Sequence, residues 1–305
     1  MNNLRIYLIL TVAMMFWGLN VAVIKLLVEH FSPVMITSLR IFVAGIVVFI
    51  ILAGLKSVRK PNLKETFYIL SGGLLNIAGH HYFLAIGLLK TSAVNGGLIL
   101  GLGPLLTASM AILFLGKRLT IIRALGFIFG GIGVSLTVLA GGSRVTGINT
   151  GDLFVFISIL SQAASFIIIS KAAKTLEPRL LTGYMLLIGS AALFAASLLT
   201  EPYGIKSLAN DSVLLWVAFF ASSILATAFG QMIYNYAIGK AGPAETSIFL
   251  NLNTFFSLIG AAVFLGEKIT AFHLFGLLFI ITGVIFGSGA LEELMLKKRP
   301  STKAA

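Results

Sequence analysis

Blocks of about 20 apolar residues, separated by short polar loops, run the length of this chain, and no motif in it constrains the fold as tightly. A helix needs roughly 20 apolar residues to cross about 30 Å of hydrocarbon, where each backbone N–H and C=O must be satisfied within the segment itself. By that rule the sequence predicts ten spans: 5–28, 34–54, 67–89, 93–115, 121–140, 151–173, 180–199, 213–238, 244–265 and 271–290. The composition agrees, with 58% hydrophobic and 10% charged residues, against about 25% charged in soluble domains. The expected class is an all-α integral membrane protein. The first block follows Arg5 in the manner of a signal peptide, but it is too long and has no convincing small-residue cleavage site, so it is read as a helix.

The net charge of +12 would suggest nucleic acid if it were clustered. Instead the basic residues sit in the loops, which argues for a membrane and against a nucleic-acid partner. Lys25 and Arg40 fall inside spans, and Lys90, Arg144, Lys206 and Lys268 fall on one side. The remaining 16 of the 22 Lys and Arg residues fall on the other. The positive-inside rule therefore puts both the N- and C-termini in the cytoplasm. The closing segment 291–305, which ends in LKKRPSTKAA, is read as a short basic tail. The chain has no cysteine, which excludes disulfides and thiolate metal sites.

Internal repetition divides the chain. FLGKRLTIIRALGFIFGGIGV (114–134) aligns without a gap to FLGEKITAFHLFGLLFIITGV (264–284), and LAIGLLKTSA (84–93) matches YAIGKAGPAE (236–245) more loosely. Residues 20–40 and 165–185 share Pro33/Pro178 and Thr37/Thr182. Each half, 1–145 and 146–290, then holds five spans. Because five is odd, the second copy enters the membrane from the opposite side, giving two inverted five-helix repeats of the kind many secondary transporters use. The replacement of Lys117-Arg118 by Glu267-Lys268 at matched loops fits that inversion.

FWGLNVAVIKLL in span 1, SLRIFVAG in span 2, GDLFVFISILSQA opening span 6 and the FLGKRLT/FLGEKIT pair together resemble the ten-span drug/metabolite transporter superfamily, in particular its EamA-type exporters. The likeness covers essentially the whole chain. It implies two inverted repeats around a central cavity and export of amino acids, metabolites or drugs. It leaves the substrate unspecified. The chain departs from the family at an acid–proline pair: Asn253-Thr254 stands there, and Gly103-Pro104 in the first copy. That absence weighs against acid-based ion coupling.

Polar residues inside spans are functional candidates by default, although Ser, Thr and Asn also serve as interhelical contacts. Asn76, His80, Phe83 and Gly87 share one helical stripe. An offset of 151 at Gly79/Gly230 sets His80 against Gln231 and Leu84 against Asn235. Trp17 and Asn20 share a face of span 1; Gln162 and Ser165 are their counterparts, and Tyr184 lies beside the counterpart of Arg40. The candidate substrate-binding set is thus Trp17, Asn20, Asn76, His80, Gln162, Tyr184, Gln231 and Asn235, with Tyr82, Asn95, Asn251 and Asn253 as weaker members. Arg40, His80 and Glu245 are candidates for gating or coupling. His80 is the better cavity-facing residue of the His80-His81 pair and the proton-coupling candidate.

Several readings are bland. Arg40 is either an anchor for a substrate carboxylate, a gate, or a side chain snorkelling to headgroups. Lys25 and Glu29 suit a surface ion pair, and Asp152, Glu245 and Glu267 suit helix ends or gates. The GxxxG pairs Gly126/Gly130 and Gly283/Gly287 suit close helix packing. No metalloprotease, phosphate-binding or intramembrane aspartate motif is present, so the expectation is no enzyme, no metal and no cofactor. The sequence thus points to a multi-pass transporter in the plasma or inner membrane. It would move a small metabolite or drug, with an amino acid or derivative as the leading class, outward by alternating access. Its partners would be that small-molecule substrate and membrane lipid, as a monomer or homodimer. A non-transporting receptor or scaffold and an uncoupled facilitator are the alternatives.

Overall fold

The computed structural model describes residues 3–91, 96, 99–139, 149–209, 212–265, 270–289 and 292. Among them every regular element is helical. The first half supplies α1 (Asn3–His30), α2 (Pro33–Gly54), α3 (Leu63–Lys90), α4 (Gly103–Leu115) and α5 (Ile121–Leu139). The second supplies α6 (Thr150–Ala172), α7 (Pro178–Thr200), α8 (Val213–Ala241), α9 (Leu250–Leu265) and α10 (Ala271–Gly287). Six of these (α1, α2, α3, α6, α7 and α8) contain a stretch long and apolar enough to cross a membrane. α4, α5 and α10 are shorter apolar helices, and α9 is preceded by one helical turn, Pro243–Ser247.

Helix ends are set by local chemistry. Asn62 and Glu65 form a reciprocal capping box on α3, and Asn149 and Asp152 do the same on α6, satisfying orphan amides of the first turn. Asp152 therefore has the helix-end role expected of it. Pro33 and Pro178 occupy the first turns of α2 and α7, where a missing N–H costs nothing. At the start of α2, the Glu201 carboxylate accepts the amides of Val34 (2.9 Å) and Met35 (2.8 Å). α8 ends at Gly242, whose φ of 100° is open to glycine and strained for other residues.

Packing follows a pattern that survives exchange of the halves. α5 lies on α10 and α2 on α7. α1 lies on α9 and α8, as α6 lies on α4 and α3; α2 also touches α8, as α7 touches α3. Along α5 and α10 the glycine pairs face each other. A methyl on Gly133 would lie 2.7 Å from the Gly276 carbonyl, and one on Gly283 would lie 2.8 Å from that of Gly126. Backbones this close gain dispersion contact where lipid offers no hydrophobic drive. The outer surface carries exposed Leu8, Phe42, Ile50, Leu113, Ile128, Val217, Phe272 and Leu278, a collar suited to acyl chains and not to water.

Candidate functional site

Two helices change their winding partway along. α3 is π-helical over Gly73–Gly79, and α8 is π-helical over Ser222–Phe229. A π turn widens the helix and leaves carbonyls short of regular partners, a feature common at functional sites. Here each wide turn is capped by a side chain from the other half. Ser161 Oγ of α6 donates to Leu75 O at 2.8 Å, and Trp17 Nε1 of α1 donates to Ala226 O at 2.7 Å. The capped carbonyls are separated by the same 151 residues as Gly79 and Gly230. Those glycines make room for the caps. A methyl on Gly79 would lie 2.9 Å from Ser161 Oγ, and one on Gly230 would lie 2.9 Å from Trp17 Cδ1.

His80 follows the first π turn and is 7% exposed. Ser158 Oγ donates to the His80 carbonyl at 2.9 Å and lies 2.8 Å from Nδ1, while the Gln162 amide nitrogen lies 3.2 Å from Nε2. Both ring nitrogens thus meet partners on α6, Ser158 at Nδ1 and Gln162 at Nε2. A proton at Nε2 would require the Gln162 amide to turn its oxygen inward. His81, half-buried, sets its ring 4.9 Å from that of His80.

Arg40 is 5% exposed and donates to Thr227 Oγ1 inside the second π turn. It neither snorkels nor caps a helix end. Thr227 in turn donates to Ser222 O at 3.0 Å. At the place in α7 that matches Arg40, Met185 packs on Gly72 and Gly73, at the start of the first π turn.

Around these turns lie buried polar atoms with no hydrogen-bond partner among the described residues: both amide atoms of Asn76, Gln231 Oε1, Asn235 Oδ1 and the Tyr234 hydroxyl. Asn235 Nδ2 donates to Thr182 Oγ1 at 2.9 Å. Tyr234 lies between Trp17 and Phe166, tilted against both rings, each 5.1 Å away between ring centroids. Asn20 is buried one turn beyond Trp17.

Two selected residues stand apart. The Tyr184 hydroxyl donates to Arg59 O in the α2–α3 loop at 3.0 Å, at the edge of the bundle. In that loop a hydrogen bond with Glu65 raises the Arg59 guanidinium further above its ordinary pKa. Glu245 pairs with Arg123 at 2.6 Å, and Arg123 also holds Glu292 at 3.0 Å. That network ties the start of α5 to the turn preceding α9, away from His80. Among the weaker candidates, Asn251 is buried against Gly130, and Asn253 Oδ1 has no partner among the described residues. Tyr82 lines a groove of about 200 Å³ with Ala192 and Leu193, and a second groove of about 400 Å³ runs along α4 and α5. Neither is lined by any member of the main candidate set. Asn95, Glu267 and the Lys25 side chain lie outside the described residues. Ser158, Ser161, Thr227 and Arg123 escaped the sequence reading. The signal available for the first two was the run Ser158, Ser161, Gln162, Ser165 along α6.

A helical bundle with an apolar outer collar and a polar seam inside is a multi-pass integral membrane protein. The chain belongs to the EamA-like transporter family, which matches residues 4–139 and 149–288. It is 31% identical to the uncharacterized transporter YyaM of Bacillus subtilis (strain 168), over 96% of each chain. It is 26% identical to the WAT1-related protein At3g02690, chloroplastic, of Arabidopsis thaliana, over 86% of this chain and 64% of that one. A solved crystal structure, 18% identical, superposes with a TM-score of 0.79 over 95% of this chain and 98% of its own, a likeness that speaks to fold alone. The protein is a multi-pass membrane transporter of the cell membrane.

Proposed function

We propose that the chain spans the membrane ten times as two inverted five-helix repeats with both ends cytoplasmic. It moves a small amphipathic metabolite, an amino acid or derivative, outward by alternating access. The observation that carries this reading is the reciprocal capping of the two π turns. Each half holds the bendable turn of the other through one side chain, so the two turns are coupled through the same interface. A wide turn bends where a regular helix resists. Release of one cap opens the seam on one face while the other cap holds the opposite face shut. Asn76, His80, Gln162, Gln231, Asn235, Asn20 and Trp17 line the seam, and Arg123–Glu245 closes one end of it. His80 is the residue through which a proton couples to transport, with the Gln162 amide turning to accept it.

Purified protein in liposomes exposed to a mixed metabolite pool carries some solute down its gradient; no flux of any solute would favour a scaffold or receptor. The inversion has a separate test, made clean by the absence of native cysteine. Lys60→Cys follows α2, and Tyr203→Cys follows α7, its counterpart. In intact cells an impermeant maleimide should label Tyr203→Cys and spare Lys60→Cys. Labelling of both from one side would mean parallel copies.

A further inference from the structure

Resting on the transporter reading, we infer that Arg40 is the recognition group for a substrate carboxylate. Carriage therefore depends on the negative charge of the solute and not on a positive one. Arg40 is the eighth residue of α2, about 10 Å along the helix at 1.5 Å per residue. Its guanidinium has five N–H donors, and its hydrogen bond runs to the neutral oxygen of Thr227. Every carboxylate the structure describes stands at or beside a helix end, and none pairs with Arg40. Glu65 and Asp152 cap helices, and Glu201 binds the first amides of α2. Glu177 holds Arg179, Glu245 and Glu292 hold Arg123, and Glu29 is exposed.

A buried charge without a counter-charge is costly and is kept where it has work to do. The fold itself does not demand it, because Met185 fills the matching place in the other half against the other π turn. The rest of the site complements a carboxylate-bearing solute. Gln231, one turn beyond Thr227 on α8, is 8% exposed and keeps Oε1 unpartnered, an acceptor for an N–H of the solute. Among the described residues no acidic side chain is placed to hold a charged amine there, so the carboxylate is required and the amine is dispensable.

The test uses full-length protein in detergent and two probe pools, an equimolar mixture of N-acetyl amino acids and one of amino-acid amides. The acetylated pool should raise the melting temperature of the wild type. It should leave Arg40→Met unmoved, and the amide pool should shift neither. Arg40→Met alone should melt no lower than the wild type, whereas a purely structural arginine would make it melt lower. Arg40→Lys keeps the charge and loses the fork, so it should respond to the same pool at about tenfold higher concentration. No shift with the acetylated pool, an equal shift with the amides, or an undiminished shift in Arg40→Met overturns the inference. Liposome flux separates this failure from that of the transporter reading. Movement confined to cations or neutral solutes removes the carboxylate site alone, whereas no movement removes both.

Discussion

The π turns of α3 and α8 occupy matched places, and they differ in what touches them. The α3 turn is capped by the small hydroxyl of Ser161, packed by Met185 and followed by His80. The α8 turn is capped by the Trp17 indole, gripped by Arg40 and followed by Gly230 and Gln231. The backbone winding is alike in the two halves while the chemistry is divided: a buried guanidinium sits against one turn and an imidazole beside the other. A duplicated scaffold can therefore keep a common motion while assigning binding and proton handling to different copies.

Forcing the chemistry to match should break the molecule first. Met185→Arg buries a second cation with no oxygen of Thr227's kind to receive it. It should cost about 3–5 kcal/mol, the scale of a buried charge left unpaired, and be read as loss of monodisperse protein in detergent. Next come the two glycines beneath the caps. Gly230→Ala drives a methyl into a rigid indole and should cost roughly 1–3 kcal/mol of stability in thermal melts. Gly79→Ala meets a hydroxyl that can turn aside, so its loss should be smaller; equal losses would mean that the caps are equivalent.

Removing the caps tests the same contrast more gently. Trp17→Phe should cost about 1 kcal/mol and Ser161→Ala about 0.6 kcal/mol, and both should slow liposome flux more than they lower the melting temperature. The smallest structural effect is expected from His80→Gln, which puts glutamine at both of the matched positions 80 and 231. Flux should persist with its pH dependence flattened, and an unchanged pH profile would remove His80 from coupling.

Much of the helical layout was legible in the apolar blocks, because helix length is set by bilayer thickness. The blocks end close to the helices they foretold: 34–54 against Pro33–Gly54, and 271–290 against Ala271–Gly287. Where they differ, polar first turns are the cause. Span 3 was read from 67, but the Asn62–Glu65 box starts α3 at Leu63. The ninth block reaches further toward the N-terminus than α9, with a helical break after Ser247.

The site was legible where a residue was chemically out of place, as with Arg40, His80, Gln231 and Asn76. It was not legible where the decisive feature was backbone winding. A π turn leaves no trace in apolar periodicity, and its caps are ordinary residues whose meaning lies in a carbonyl on another helix. Tyr184 looked central because its neighbour matches Arg40, yet one residue of rotation turned its hydroxyl to a loop carbonyl.

The glycine seam between α5 and α10 carries one more consequence. Its bare backbones are flanked by interlocked rings, Phe129 of α5 lying against Phe279 and Phe286 of α10. Separating the two helices would break backbone and ring contacts at once, so the pair holds together as a single two-helix piece.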